Sequence, residues 1–243
     1  MLSRFDIMEQ GGNGMSILLY ELVGQDETRP FSPHCWKIRL ALRHKGLDFQ
    51  TVPVPFTSVR HIENGFDRTV PVLRDGKDVV QDSFAIAEYL EANYPDGRPL
   101  FGGEIGRGLA RLVESWSQRT LHPFVTSVAL MDIYSLLDEA DKEHFRRTRE
   151  AFFGMKLEEV VHRDPTHVEA FSQALNPLRA TLKIQPYLSG REPGFADHIV
   201  FGAFQWLRVV SPFHPLKPDD RVMEWFERCL DLYDGEGRRV AAA

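Results

Sequence analysis

The stretch Phe31-Ser32-Pro33-His34-Cys35-Trp36, continuing through Ile38, Leu40 and Leu42 to Lys45-Gly46, restricts the fold more than any other part of the chain. It follows a strand-like run, Ile17 to Leu22. Pro33 suits the first position of a helix, where its missing N–H has no intrahelical partner and its φ is already helical. Ser32 then becomes the N-cap, and Gly46 ends the helix. A hydroxyl thus sits where a strand turns into a helix, at the positive end of the helix dipole. Such a hydroxyl either only caps the helix, or also helps to bind an anion or hold a thiolate. This stretch alone leaves both open.

Around it, strand and helix alternate. Cys35, Ile38 and Leu42 fall on one face of the helix, with Lys37 and Arg43 off it. Phe49 to Val54 is a second strand; Thr57 to Asn64 is irregular or weakly helical and Gly65 breaks it. Thr69-Val70-Pro71-Val72-Leu73 reads as a strand interrupted by proline. Either an edge strand begins at Pro71, or a cis bond leaves the N–H and C=O of Val70 outside the sheet, where an extended ligand can pair with them. Asp75-Gly76 supplies a hairpin turn and Asp78 to Gln81 its return strand. Asp82-Ser83 starts a helix over Phe84 to Asn93. The order β-α-β-α-β-β-α implies a mixed sheet.

Pro95 to Gly103 is a linker by composition, and helical spacing dominates beyond it. Leu109, Leu112, Trp116 and Thr120 mark a helix that His122-Pro123 kinks or ends. Asp141 to Val161 is a second, highly charged helix. Thr166-x-x-Glu169 is a capping box for a helix through Leu175 and Leu182. Ala196 to Val210, nearly apolar throughout, is a buried central helix, and Asp219-Asp220 starts a last one. The expected organisation is an extension over 1–15, a sheet-bearing domain over 16–95, a linker over 96–104 and an all-helical domain over 105–243.

Composition narrows the function. The net charge is −6 and no basic block with interleaved aromatics occurs, so nucleic acid is not the expected partner. No apolar run approaches the ~20 residues of a membrane span. Met1 to Gly14 has no apolar core of a secretory signal, and reads as a flexible extension with Met15 as an alternative start. Two cysteines, Cys35 and Cys229, are too few for a disulfide framework or a cysteine zinc site. A cytoplasmic protein without a metal is expected. The glycine-rich run Gly102 to Gly108 follows no strand and lacks the residues of a phosphate loop.

The β-α-β-α-β-β-α unit with Val70-Pro71, then Asp82-Ser83, then an all-helical half, resembles the cytosolic glutathione transferases from Ile17 to about Tyr233. The resemblance implies a thioredoxin-like α/β domain that binds glutathione as co-substrate and an all-α domain that binds the second substrate. It implies that Ser32 is the catalytic residue, that the backbone at Val70-Pro71 pairs with the cysteinyl unit, and that Asp82 and Ser83 hold the γ-glutamyl end. Asp82 stands where the commoner residue is Glu. The Phe-Ser-Pro-x-x-Trp start and Gln81-Asp82-Ser83-Phe84-Ala85-Ile86 resemble the etherase-like bacterial and fungal branch, which includes lignin β-aryl ether cleavers. A homodimer is also implied.

The implied chemistry is thiolate attack on an apolar or aromatic electrophile. A free thiol titrates near ~8.5, and lowering that by ~2 units takes about 2.7 kcal/mol of preferential thiolate stabilisation. A hydroxyl hydrogen bond and a helix N-terminus together have that size. With Ser rather than Cys at 32, thiol–disulfide exchange is disfavoured, and Cys35 is expected in the core. Trp116, His122 and Phe124, on the first long helix past the linker, are the expected wall of the second-substrate pocket, with core packing as the alternative for each. The competing function is a binding protein of the same fold that does not turn over.

Overall fold

β1 (Ile17–Leu22) is the hub of a four-stranded sheet. It pairs in parallel with β2 (Phe49–Val54) and antiparallel with β3 (Val72–Asp75), and β3 pairs antiparallel with β4 (Asp78–Gln81), giving the order β2-β1-β3-β4. This computed structural model describes residues 16–65 and 69–243; the extension expected over 1–15 lies outside them. The crossover between the parallel strands is α1 (Pro33–Lys45), capped by Ser32 and closed by Gly46 in the left-handed region at φ 73°. A 3-10 segment, Phe56–Asn64, fills the stretch read as irregular. α2 (Ser83–Asn93) follows β4 and starts one residue earlier than expected, because Asp82 is its cap.

The helical half departs from expectation in three places. α3 (Glu104–Ser135) runs 32 residues straight through Pro123. A proline removes one intrahelical bond, and the packing of Leu121, Phe124, Val125 and Val128 on both sides of it, all buried, outweighs that loss. Gly106 and Gly108, part of the glycine-rich run, lie inside its first turns. The charged helix is two: α4 (Glu139–Phe153) stops at Gly154, φ 69°, and α5 (Leu157–Val160) is a single turn. The expected capping box is absent: Asp164, not Thr166, caps α6 (Pro165–Ala174), and Glu169 meets Gln173 instead. α7 (Asn176–Leu182) is separate from it.

α8 (Phe195–Val210) is the buried central helix the apolar run implied. Its Asp197 is 0% exposed and collects four N–H groups, from Leu188, Ser189, Gly194 and the Trp225 indole, at 2.7 to 3.1 Å. Hydrogen bonding on that scale lets a carboxylate be buried. α9 (Arg221–Leu230) and a closing turn, Leu232–Gly235, complete the chain.

α1 is packed on both sides. Ile38 and Leu42 join the sheet and α2, and also Phe195 and Ile199 of α8. Trp36 meets Phe201 of α8 edge-on at 6.0 Å. A Cβ on Gly202 would come within 2.4 Å of the Pro33 carbonyl, so glycine permits this approach. Beyond α9 the chain returns to α1: Glu236 takes Arg39 at 2.6 Å and Arg43 at 2.9 Å, and Tyr233 meets His44 at 2.8 Å.

Candidate functional site

The strand register brings the expected glutathione residues to one end of the sheet. Tyr20, near the end of β1, is opposite Val72 at the start of β3, and Val72 is opposite Gln81 at the end of β4. The chain therefore leaves β1 toward Ser32, enters β3 from Pro71 and leaves β4 into Asp82, all at the same end of the sheet. The Phe31 N–H bonds to the Leu22 carbonyl at 3.2 Å, tying the approach to Ser32 to the end of β1.

Ser32 is 5% exposed, and its Oγ accepts the Cys35 N–H at 3.4 Å. A hydroxyl has one donor and two acceptor positions, so this cap leaves its O–H free to donate. The Val70–Pro71 peptide is cis, and both residues lie outside the β3 ladder, which begins at Val72. Asp82 sits at φ 68°, and its Oδ1 accepts the Phe84 and Ala85 N–H groups at 3.0 and 2.9 Å. One carboxylate oxygen is thus engaged in capping α2, a use that sequence reading did not foresee; Oδ2 stays outside the cap. Ser83 is the first residue of α2 and is buried. Cys35 is 0% exposed, with its thiol pushed up to about 12 by burial and by the nearby Glu21. It is a core thiol, as expected from its spacing.

The three expected pocket residues separate. Phe124 is buried and stacks on Phe171 at 3.6 Å and on His167 at 5.2 Å, so its ring is spent on α6. Trp116 is half-buried against the main apolar cluster. His122 meets α1, with its ring 5.1 Å from that of His34 and 5.8 Å from Trp206 of α8.

Sequence reading missed the group that joins the halves here. Lys37, expected off the buried face, is 0% exposed because α1 is covered on both sides. Its ammonium is 2.8 Å from Glu114 Oε1 on α3 and 3.1 Å from His34 Nδ1. Burial lowers its pKa, while Glu114 and Asp82 oppose that shift. Burial, reinforced by the Lys37 charge, pulls His122 down to about 4 and His34 well below its ordinary value. Both imidazoles are neutral at pH 7. No pattern along the chain links Lys37 to Glu114; only their burial on facing helices reveals the pair.

Among the described residues no group of three His, Cys, Asp or Glu is placed to hold a metal ion, and no helix is long and apolar enough to cross a membrane.

Comparison with known proteins bears on this geometry. The family model described as glutathione S-transferase, N-terminal domain, matches residues 28–99, and that described as glutathione S-transferase, C-terminal domain, matches residues 108–231. A glutathione S-transferase-like protein of Aspergillus flavus is 26% identical, over 88% of this chain and 83% of its own. A glutathione transferase structure from Phanerochaete chrysosporium matches at TM-score 0.71 and 28% identity, covering 93% of this chain and 94% of that one. A glutathione S-transferase of Ceriporiopsis subvermispora, solved in complex with glutathione, matches at TM-score 0.69 and 25% identity, covering 92% and 94%.

Proposed function

The chain belongs to the glutathione S-transferase family, and from that premise we propose that it activates glutathione with Ser32 and transfers it to an apolar or aromatic electrophile. The observation that carries this reading is the Ser32 hydroxyl. Its oxygen is held by the Cys35 N–H, that cap does not use its proton, and it stands at the N-terminus of α1. A sulfur placed there receives a hydrogen bond and the positive end of the helix together. The thiol loses its proton to solvent, Ser32 keeps its own, and the thiolate attacks the electrophilic carbon. Val70 offers backbone groups outside the ladder to the cysteinyl unit. Asp82 Oδ2 takes the γ-glutamyl ammonium, and Ser83, at the start of α2, its carboxylate.

The particular electrophile proposed is an aryl ether, on the strength of the residues around Ser32 and Asp82 that resemble the etherase-like branch. A cytoplasmic setting fits the two buried, unpaired cysteines. The proposal includes a homodimer. Of the large apolar groups on the charged helices, Phe145 and Leu157 are buried in the core, while Phe152 is 79% exposed. Ile105, Leu109 and Leu112, one stripe of α3, are 83%, 57% and 66% exposed and are the better candidates.

Replacement Ser32→Ala tests the catalytic role. Turnover with a panel of aryl electrophiles and aryl ethers is expected to fall at least about tenfold, the size of a hydrogen bond to a charged group, while glutathione binding by calorimetry persists. An unchanged rate between pH 6 and 8 would remove the assignment. Glutathione binding without turnover of any electrophile by the unmodified protein would make it a non-catalytic binder.

A further inference from the structure

The side of α3 that meets α1 is polar where a core would be apolar. Glu114 is buried there against Lys37, and His122, about two turns on, meets His34; Ser117, one turn after Glu114, is also buried. Ser117 Oγ is on a side chain 0% exposed and has no hydrogen-bond partner, and His122 Nε2 is likewise buried and unpartnered. Buried polar atoms nearly always have partners, so the orphaned His122 Nε2, on the side that meets α1, marks a place built to meet something polar. Opposite His122 on α1 is His34, two residues after Ser32.

The tautomer of His34 follows from its neighbour. Lys37 Nζ lies 2.8 Å from a carboxylate, so it is an ammonium, and an ammonium only donates. His34 Nδ1 must therefore accept, and the ring proton of the neutral imidazole is on Nε2. Trp206 closes the far side of His122. A neutral N–H donor thus stands on the first turn of the helix that the sulfur-holding hydroxyl caps, against the His122 ring.

We propose that His34 is a second catalytic residue, donating its Nε2–H to an oxygen of the electrophile, and that Lys37 is the positioning residue that fixes this tautomer. The substrate class is an electrophile whose oxygen gains charge as the carbon–sulfur bond forms, as the carbonyl of a conjugated enone does. The thiolate pair forms the C–S bond at the β carbon, and the C=C π pair shifts to leave the charge on the carbonyl oxygen. His34 N–H holds that oxygen. Water then returns a proton to the α carbon, balancing the one the thiol released, and nothing is oxidised or reduced. An electrophile without such an oxygen gains nothing from His34.

This inference rests on the transferase reading, and its test uses ligands that need no turnover. S-(3-oxobutyl)glutathione carries the carbonyl; S-butylglutathione does not. Calorimetry on the unmodified protein is expected to show the first binding at least about fivefold tighter, the size of one neutral hydrogen bond. In His34→Phe, which keeps a ring but no donor, the ratio falls to about one, and His34→Gln restores part of it. Binding of both ligands with equal affinity, or a ratio that His34→Phe leaves intact, overturns the role of His34 and spares the transferase reading. Binding of neither overturns both. Independently, nitrogen NMR of the imidazoles at neutral pH should show His34 protonated at Nε2; a proton on Nδ1 would overturn the role of Lys37.

Discussion

At the scale of single residues, the histidines between α1 and α3 make acid tolerance a measurable property. His122 is held near about 4 in the fold against an ordinary 6.5. Between those values the unfolded chain binds the proton and the folded chain does not, so stability rises with pH in that window. The contribution is fully present above 6.5 and lost as pH falls toward 4. Allowing for its partial exposure, urea midpoints should reveal about 2 kcal/mol lost between pH 7 and 4.5 on this account. His122→Phe should flatten that part of the curve; an equally steep fall in the variant would show that other groups carry it. Ser32 and Gly46 could be read from sequence because caps are local chemistry. Lys37 could not, since its burial depends on a helix 77 residues further along.

At the scale of elements, the approach of α1 to α8 is set by Gly202. Alanine is the better helix former by about 1 kcal/mol, yet here its Cβ would meet the Pro33 carbonyl, which is backbone and cannot swing away. Gly202→Ala is expected to cost about 1–3 kcal/mol and to depress turnover, because Pro33 directly follows Ser32. Gly108→Ala, with nothing within 4 Å of the added carbon, is the control and should be neutral or stabilising. Equal urea midpoints for the two variants would refute the close-packing argument. The same scale explains what sequence reading got wrong. The four strands along the chain, the first two helices and α8 followed from local period and punctuation. The continuity of α3 through Pro123 depended on tertiary packing, and Gly154 lay unnoticed inside a run of charges that looked helical throughout.

At the scale of the whole molecule, the α3 stripe predicts pairing. Sedimentation equilibrium at micromolar protein and physiological salt should give twice the 27.9 kDa of one chain, and Leu109→Arg with Leu112→Glu should return the monomer with glutathione binding retained. A monomer for the unmodified chain would remove the dimer. The position of α1 has another consequence. It belongs to the sheet through Ile38 and Leu42, to α8 through Trp36, to α3 through Lys37 and to the chain's end through Arg39 and Arg43. The two architectures therefore share one foldon. A sheet half expressed alone would strand a buried ammonium and an indole face in water. Native-state hydrogen exchange should accordingly find the inner amides of α1 and α8 opening together, at the free energy of global unfolding, with no subglobal state in which one half stands while the other has melted.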